Sequence, residues 1–377
     1  MAVHFKTIIS KLFFIAGCIY SAIYLLSCCT PYISPEHLSA LTFLALGFPF
    51  LFAGMLVWLL LVLLFYRKSI LIFILIILLG SENIFSVFAI NIPKEFVQEK
   101  KENSLRVLSW NVQEFVDSQI ANDTPRSIRR TIMAFIQQAD ADIVCIQDFQ
   151  EHTSKDFFSC LNDITNKSNY PYHYFSIDHE LSLYYAFIQY GTVIFSRYPI
   201  IDSGRMAYPV QDVVESLAFA DILKGKDTIR IFNTHLKSMY IKANTEDSTL
   251  NVDFIGKDIA FLKKNTSKYS RLQHYDTIHI AQAKFVKEQL NKSKYPFIFC
   301  ADLNSVPSSY VYHTVQEGLK DVFTTKSFGL GATYYDISPT LRIDVILTSQ
   351  HFKPLQYYSP AIKASDHYPV VADIQLK

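Results

Sequence analysis

Three apolar stretches dominate the first hundred residues of the chain. Residues 12–33 and 38–66 carry no charged side chain, and residues 69–90 are apolar apart from a short polar interruption around Glu82. A helix needs about 20 apolar residues to cross a bilayer, so the pattern predicts about three transmembrane helices over these ranges. The third range leaves two alternatives open, namely a helix that ends near Gly80 and a buried or re-entrant hairpin.

The basic residues beside these helices predict their orientation. Lys6 and Lys11 precede the first helix, Arg67 and Lys68 form the turn between the second and the third, and the loop at 31–37 contains neither Lys nor Arg. Short loops with an excess of Lys and Arg stay in the cytoplasm. With three spans the rest of the chain lies outside the cytoplasm, and with two spans it lies inside. We therefore expect a multi-pass membrane protein with an extracytoplasmic domain.

The same pattern predicts the domain boundaries. A cleaved signal peptide that ends near Cys28 is an alternative to the first helix. The long apolar stretch at 38–66 follows it closely, however, and a simple secreted protein would not carry such a stretch. The interpretation is a transmembrane anchor over residues 1–93, a polar linker over 94–104 and a second domain over 105–377.

Beyond residue 104 the pattern changes to short strands that alternate with amphipathic helices. Thr124 and Pro125 fit the cap and the first position of one helix, and Ile278, Phe285 and Leu290 repeat at helical spacing in another. Such an alternation predicts a layered α/β sandwich. The predicted strands are LRVLSWNV, DIVCIQ, TVIFS, TIRIFNTHL, FIFCADL, RIDVILTS and VVADIQL.

Charge is distributed unevenly between the two parts. Only 18% of the 377 residues are charged, against roughly 25% in a typical soluble domain. The first 99 residues hold five basic and four acidic side chains, so the other 278 hold 30 of each. A second domain with no net charge does not attract nucleic acid by general electrostatics. The composition also excludes a disordered chain and a disulfide-stapled miniprotein.

Polar side chains interrupt the predicted strands at their ends. These positions are where the sequence indicates catalytic or metal-binding residues. Burying so many unpaired acids in one domain is costly without a compensating interaction. Clustered carboxylates tolerate their mutual repulsion when they bind a hard divalent cation, and Mg²⁺ prefers such oxygen ligands. The candidate residues are Asn111, Asp148, His235, Asp302, Asn304, Asp344, Asp366 and His367.

The ordered motifs WN, QD, THL, ADLNSVP, RID and SDHYP resemble those of the endonuclease/exonuclease/phosphatase superfamily. The resemblance covers about residues 104–377. It implies a four-layer sandwich of two packed mixed β-sheets flanked by helices, and a metal-dependent hydrolase acting on phosphoester bonds. It also implies Mg²⁺ as the cofactor, with Mn²⁺ possible. The N-terminal layout is similar to that of membrane-anchored members from Bacteroidetes-type bacteria, which implies the bacterial inner membrane.

The resemblance implies a metal site at three of the candidate residues. Asp148 matches the position of the metal-binding glutamate of the family, and Asp366 matches a position that can also face the metal. Asn111 resembles the residue that positions the metal ligands and the phosphate. Asp148 departs from the family pattern because its carboxylate is one methylene shorter than that of Glu, so the metal is expected to bind differently or more weakly.

The remaining candidates resemble the catalytic residues of the family. His367 resembles the catalytic histidine, and Asp344 resembles the carboxylate that orients it. Asp302 and Asn304 resemble the pair that orients the nucleophilic water and holds a phosphate oxygen. His235 resembles a second histidine that donates to the phosphoryl group. An imidazole held by a carboxylate is well suited to proton transfer near neutral pH.

The sequence leaves the substrate open among nucleic acid, a phospholipid or sphingolipid headgroup and a small phosphorylated compound. The balanced charge disfavours nucleic acid, and the anchor favours a substrate at the membrane surface. The lipid bilayer is the expected partner, and no protein partner is predicted. A catalytically inactive membrane scaffold with the same fold is the alternative function, and Asp148 is the only feature that favours it.

Two expectations concern residues beside these motifs. Glu114, Asp140, Asp142 and Glu151 are expected to be solvated rather than functional. The aromatic stretch at 184–190 could flank the site, although packing in the core is favoured because most aromatic side chains are buried.

Overall fold

The N-terminal part forms four helices, α1 (Ala2–Cys28), α2 (Ala40–Phe65), α3 (Ile70–Leu79) and α4 (Ser81–Val87). Helices α1 and α2 are long and apolar enough to cross a membrane, and the pair α3 and α4 forms a third candidate span that is bent by 57°. The computed structural model describes residues 2–36, 38–92, 94–115, 125–153, 159–183, 186–211, 213–239 and 267–377.

The bend lies at Gly80, where the third helix packs directly on the first. A Cβ atom at Gly80 would overlap with Tyr24 Oη and Cys28 Sγ, so a larger residue would have to push these side chains aside. Just beyond the bend, Asn83 Nδ2 donates to the carbonyl oxygen of Ser27 at 3.2 Å. The third helix therefore returns to the end of the bundle where α1 finishes, as an antiparallel three-helix anchor requires.

The second part contains fourteen strands and five helices among the described residues. The strands are β1 (Ala89–Ile90), β2 (Ser104–Asn111), β3 (Ile143–His152), β4 (Tyr172–Leu183), β5 (Ala186–Ser196), β6 (Ile200–Ala207), β7 (Ser216–Lys224), β8 (Asp227–His235), β9 (Phe297–Asp302), β10 (Lys320–Asp321), β11 (Phe328–Gly329), β12 (Asp344–Thr348), β13 (Phe352–Tyr358) and β14 (Val370–Leu376). The helices are α5 (Pro125–Ala139), α6 (Cys160–Lys167), α7 (Lys268–Asn291), α8 (Tyr310–Gln316) and α9 (Val322–Lys326). All seven predicted strands are present.

Two six-stranded sheets pack face to face. One has the strand order β13-β14-β2-β3-β5-β4 and the other β10-β12-β9-β8-β7-β6, while β1 and β11 form a separate two-stranded sheet. Between the six-stranded sheets lies a core of β-branched and small side chains, among them Val107, Ile194, Ile231 and Ile298. Helices α5 and α6 cover the first sheet, and α7 and α8 cover the second. This confirms the predicted four-layer sandwich.

The topology brings the candidate residues to one edge of the sandwich. Strands β2 and β3 pair in parallel, and so do β8 and β9. Parallel neighbours end at the same edge of a sheet, and the register places His235 opposite Asp302. Strand β12 runs antiparallel to β9 and begins at this edge, where Asp344 is also opposite Asp302. The segment before β14 carries His367 to the same place.

The anchor and the sandwich are joined by buried hydrogen bonds as well as by the polypeptide. Thr30 Oγ1 donates to the carbonyl oxygen of Ser308 at 2.7 Å, and Ser308 Oγ donates to that of Ala45 at 2.7 Å. Thr42 Oγ1 donates to Asp276 Oδ2 at 2.6 Å. These bonds fix the α1–α2 loop and the first turns of α2 against the domain. The 26-residue α2 then carries the chain about 39 Å away, at 1.5 Å per residue.

Replacement of Arg342 by Leu is expected to destabilise the junction between anchor and sandwich by about 3–5 kcal/mol. Arg342 pairs with Asp321 at 2.6 Å, both side chains are at most 2% exposed, and Arg342 also donates to the carbonyl oxygen of Ser86. Removal of the guanidinium leaves the Asp321 carboxylate buried without its charged partner.

Thermal unfolding in detergent measures the effect of the Arg342 replacement. Lys167→Ala, which removes an exposed ion pair with Asp163, is the control and should change the melting temperature little. An unchanged melting temperature for the Arg342 variant would contradict this account.

Candidate active site

His367 is held at the edge of the sandwich by a buried carboxylate. Its Nδ1 atom lies 2.8 Å from Asp344 Oδ2. The main chain is fixed independently, because Trp110 Nε1 donates to the carbonyl oxygen of His367 at 2.9 Å. Burial opposes protonation, but Asp344 and Asp302 together raise the pKa of His367 to about 10. Because Nδ1 is bound to Asp344, the other ring nitrogen, Nε2, faces the cleft and lies 3.6 Å from Asp302 Oδ2.

His235 faces His367 from the end of β8. Its Nδ1 atom lies 2.8 Å from Asp148 Oδ1, and its Nε2 atom lies 3.6 Å from Asp302 Oδ2. Asn304 Nδ2 lies 2.9 Å from His235 Nε2, to which it donates when the ring is neutral. Burial opposes protonation, but Asp148 raises the pKa of His235 to about 10. Protonation turns Nε2 into a donor toward Asp302 or a substrate oxygen, at the expense of the contact with Asn304.

Asp302 lies between the two imidazoles at the end of β9. Asn304 N donates to its Oδ1 atom at 2.9 Å, and Asn111 Nδ2 donates to its Oδ2 atom at 3.0 Å. Burial raises the pKa of Asp302, and the neighbouring Asp344 carboxylate adds to the effect. A carboxylate with a raised pKa that is flanked by hydrogen-bond donors can accept a proton from a water molecule.

Asp148 reaches the site because β3 is irregular at that point. The register between β3 and β5 shifts between Ile146 and Phe149, and Asp148 has a φ angle of 48°. The shift lets Gln147 point between the sheets, where its Nε2 atom donates to Asn233 Oδ1 at 2.6 Å. Such bulges redirect side chains beside active sites. Burial opposes the charge on Asp148, but His235 and the Asn111 amide more than offset it and lower the pKa of this carboxyl.

The structure brings all eight candidate residues together. Seven of them line one cavity of about 560 Å³, which also extends to the anchor. Asp344 does not line the cavity. It lies behind His367, which suits a residue that orients the imidazole rather than one that touches a substrate. The seven are Asn111, Asp148, His235, Asp302, Asn304, Asp366 and His367.

The donor set at this edge fits a hard divalent cation. Burial raises the pKa of Asp366, and the Asp148 and Asp302 carboxylates nearby raise it further. Positive charge between these groups would relieve their repulsion. The Asp148 side chain is 34% exposed, which leaves room for the waters and the phosphate oxygen that Mg²⁺ keeps among its ligands. The carboxylates of Asp148 and Asp366 and the amide oxygen of Asn111, which accepts from Gln113 N at 2.9 Å, are oxygen ligands of the kind that Mg²⁺ prefers.

A second group of metal-ligating atoms lies deeper. One ligand atom from each of Asp302, Asp344 and His367 lies within 4.8 Å of the others, and all three residues are buried. Asp344 Oδ1 is buried and has no hydrogen-bond partner. However, Asp344 Oδ2 and His367 Nδ1 already bind each other, and the Asp344 side chain is only 1% exposed. An ion held there through Asp344 would be poorly placed to reach a substrate in the cavity.

Sequence reasoning missed several residues around the site. Glu114, expected to be solvated, lines the cavity, and burial together with the charge on Asp148 raises its pKa to about 7. Tyr334 lies beside His367 with ring centroids 4.8 Å apart. In the aromatic stretch at 184–190, Tyr190 lines the cavity, whereas residues 184 and 185 lie outside the described part of the chain. No local pattern distinguishes these residues, because long-range packing places them.

Two other carboxylates expected to be solvated are buried. Asp142 is 5% exposed, because its Oδ2 atom accepts from the backbone N–H of Arg106 at 2.8 Å and Lys100 pairs with its Oδ1 atom at 2.9 Å. Glu151 is 7% exposed, and its Oε2 atom accepts from Leu161 N at the start of α6. Both expectations were wrong, since each side chain satisfies backbone donors at the start of a neighbouring element.

The comparison with known families agrees with this fold. The model of the endonuclease/exonuclease/phosphatase family matches residues 108–367, and the chain belongs to that family. A domain of unknown function (DUF8431) matches residues 10–87, which contain the helical anchor. Among curated proteins, none matches the chain significantly.

Several solved structures are similar to this chain. An endonuclease/exonuclease/phosphatase protein from Beutenbergia cavernae is 18% identical, with a TM-score of 0.53, and the match covers 73% of this chain and 72% of that one. The catalytic domain of human Nocturnin with bound sulfate is 14% identical, with a TM-score of 0.49, over 73% and 94% of the two chains. A family protein from Bacteroides thetaiotaomicron is 16% identical, with a TM-score of 0.49, over 73% and 98%.

Proposed function

We propose that this protein is a membrane-anchored, metal-dependent phosphoesterase that hydrolyses a phosphodiester or phosphomonoester bond. One observation supports this proposal above the others. Two histidines, each held by a carboxylate, face a shared third carboxylate from opposite sides, with Nε2 atoms 3.6 Å from Asp302 Oδ2 in both cases. This arrangement places proton donors and a proton acceptor around the space that a phosphoryl group would occupy.

The residues of the chain divide the reaction between them. Asp302, aided by the Asn304 amide, orients a water molecule and accepts its proton as the water oxygen bonds to phosphorus. His367 and His235 donate to the phosphoryl oxygens, on which negative charge develops. As the bond from phosphorus to the leaving oxygen breaks, that oxygen takes a proton from one of the two imidazolium groups, which recovers a proton from Asp302 over 3.6 Å. Asp344 holds His367 in one orientation throughout.

Asp148, Asn111 and Asp366 would hold the divalent cation. When bound, Mg²⁺ or Mn²⁺ would supply Lewis-acid polarisation of a phosphoryl oxygen. The shorter side chain of Asp148 does not argue for an inactive scaffold, because the bulge in β3 brings its carboxylate within 2.8 Å of His235 Nδ1 and 3.2 Å of Asn111 Nδ2.

A turnover assay on the whole protein tests this function. The full chain in detergent or nanodiscs, supplied with Mg²⁺ or Mn²⁺, should hydrolyse bis(4-nitrophenyl) phosphate as a generic phosphodiester. Release of 4-nitrophenolate is the readout. Absence of turnover on this compound, on DNA and on phospholipid alike would favour the inactive scaffold instead.

We also propose that the catalytic domain lies outside the cytoplasm in a bacterial inner membrane. The domain contacts the anchor at the α1–α2 loop and at Ser86 in α4, whereas the Arg67-Lys68 turn lies at the far end of α2. Since the basic turn is expected in the cytoplasm, the domain should lie on the other side.

A reporter fusion should show this orientation. Alkaline phosphatase, which is active only outside the cytoplasm, should be active when fused after Lys377 and inactive when fused after Lys68. The two fusions share the same first two helices, so each is the control for the other. Fluorescence from a reporter that matures only in the cytoplasm, fused after Lys377, would refute the orientation.

A further inference from the structure

The membrane anchor forms one wall of the catalytic cavity. Ile33 and Pro35 from the α1–α2 loop line the cavity, and so do Leu41, Ala45 and Leu46 from the first two turns of α2. The three α2 residues lie in the first two turns of the candidate membrane span at Ala40–Phe65, and the loop residues directly precede it. The cavity that contains the two histidines therefore reaches the end of a helix that is expected to lie in the bilayer.

The anchor wall meets an apolar wall from the sandwich. Ala45 packs with Val306, Leu341 and Ile343 in one cluster, each at most 9% exposed, and Leu46 packs against it. Ile343 immediately precedes Asp344, so the apolar surface continues to the residues that position His367. A substrate that fills the whole cavity needs a polar phosphoester at one end and an apolar part at the other.

The orientation of the cavity toward the anchor is fixed. The hydrogen bonds from Thr30 to Ser308, from Ser308 to Ala45 and from Thr42 to Asp276 are 2.6–2.7 Å long. Turning the domain away from the membrane would break all three and would expose the apolar cluster. The catalytic domain is therefore held against the anchor rather than connected to it only by a flexible linker. Its substrate has to reach the site beside the bilayer.

The charge of the lining disfavours polyanions. Seven carboxylates line the cavity, three of them beyond the catalytic edge at Asp178, Glu215 and Asp276. Arg205 pairs with Asp178 and Lys237 pairs with Glu215, so the unpaired negative charge lies mainly at the catalytic edge. Among the described lining residues there is no Lys or Arg. A nucleic acid or a polyphosphorylated compound would bring several phosphates that require basic partners. A molecule with one phosphodiester avoids this repulsion, since the catalytic edge can accommodate its single negative charge.

We propose that the substrate is a phospholipid of the surrounding bilayer, with its phosphodiester at the catalytic edge and the base of its acyl chains on the anchor wall. This inference rests on the proposed phosphoesterase function and specifies its substrate class. One water is consumed and one phosphorus–oxygen bond is exchanged for another. The water proton goes to Asp302, the leaving oxygen takes a proton from an imidazolium of the site, and that imidazole regains its proton from Asp302. The anchor thus contributes to substrate recognition as well as to location.

Matched lipids and their deacylated forms test the inference. The full chain in detergent micelles with Mg²⁺ is given dioleoyl phosphatidylethanolamine and phosphatidylglycerol, and separately the corresponding glycerophosphodiesters, which have the same headgroups without chains. We expect kcat/KM to be about 100-fold higher for the acylated forms, because a few buried methylenes supply that factor. A single-stranded oligonucleotide and bis(4-nitrophenyl) phosphate complete the set.

A pair of variants tests the anchor wall itself. Ile33 and Leu38 lie in the same loop and are 45% and 49% exposed, but only Ile33 lines the cavity. Ile33→Asp should lower kcat/KM for the lipids about tenfold, because it places a charge where acyl chains bind. The loss on bis(4-nitrophenyl) phosphate, which has no acyl chains, should be several-fold smaller than the loss on the lipids. Leu38→Asp should leave both reactions unchanged.

The outcomes separate this inference from the proposed function. Hydrolysis of bis(4-nitrophenyl) phosphate without hydrolysis of the lipids would refute the inference and leave the phosphoesterase function standing. A higher kcat/KM for the oligonucleotide than for the lipids would assign the site to nucleic acid and also refute it. Equal losses on lipid and bis(4-nitrophenyl) phosphate in Ile33→Asp would show that the loop does not recognise acyl chains. Hydrolysis of no substrate would refute both proposals.

Discussion

Replacement of His367 by Ala is expected to lower kcat by about 10²–10⁴-fold, the range that a positioned acid or base contributes. The Nε2 atom of His367 is one of two imidazole donors within 3.6 Å of Asp302. The backbone conformation at this position should be unchanged, because Trp110 Nε1 and Ser365 Oγ bind the main chain of His367 rather than its ring. Turnover of bis(4-nitrophenyl) phosphate and circular dichroism measure the two effects. The exposed His351, changed to Ala, is the control and should retain full activity.

Asp344→Asn should have a smaller effect on kcat than His367→Ala. The amide retains a hydrogen-bonding group near Nδ1 at 2.8 Å but removes the charge that favours the imidazolium. Because Asp344 acts through His367, the double variant should be no slower than His367→Ala alone. Near-normal turnover in His367→Ala, with the fold retained and the metal present, would show that another residue carries the chemistry. Additive losses in the double variant would show that Asp344 does not act through His367.

The sequence predicted the central strands and missed those at the edges. All seven predicted strands are interior members of the six-stranded sheets, where both faces are covered and the apolar runs are nearly continuous. Edge strands such as β6 and β13 have mixed burial, so their sequences read as loops. The strand β7 was also missed, although it is largely buried, because Asp221 interrupts its apolar run. Asp221 is neutralised there by Arg230 at 2.6 Å.

The site was predictable to the extent that strand ends determine it. Asp302, Asp344 and His235 follow from the strand pattern, because paired strands must bring their ends together. The position of Asp148 depends on a bulge with φ of 48°, which no local sequence rule indicated. The anchor wall could not be predicted either. It arises from contacts such as Thr30 with Ser308, which are 278 positions apart and carry no periodic signal.

Removal of the metal should lower turnover by at least about 100-fold, because Lewis-acid stabilisation of a transition state amounts to several kcal/mol. Titration with EDTA, followed by restoration with Mg²⁺ or Mn²⁺, measures this loss. Calorimetry then identifies the ligands independently of activity. Asp148→Asn is expected to weaken Mg²⁺ binding about tenfold or more, since Asp148 lines the cavity and is 34% exposed.

Asp344→Asn is the matched control for the metal site, because it removes the same charge from a carboxylate that is 1% exposed and lies behind His367. It should leave Mg²⁺ affinity nearly unchanged while still slowing turnover. The reverse result, with Mg²⁺ binding lost in Asp344→Asn and kept in Asp148→Asn, would place the ion in the buried group of Asp302, Asp344 and His367. Hydrolysis that resists chelation altogether would rule out the metal mechanism. A Mg²⁺ ion held by Asp148 would lie in the same cavity that α2 borders, because Asp148 and residues of α2 both line it.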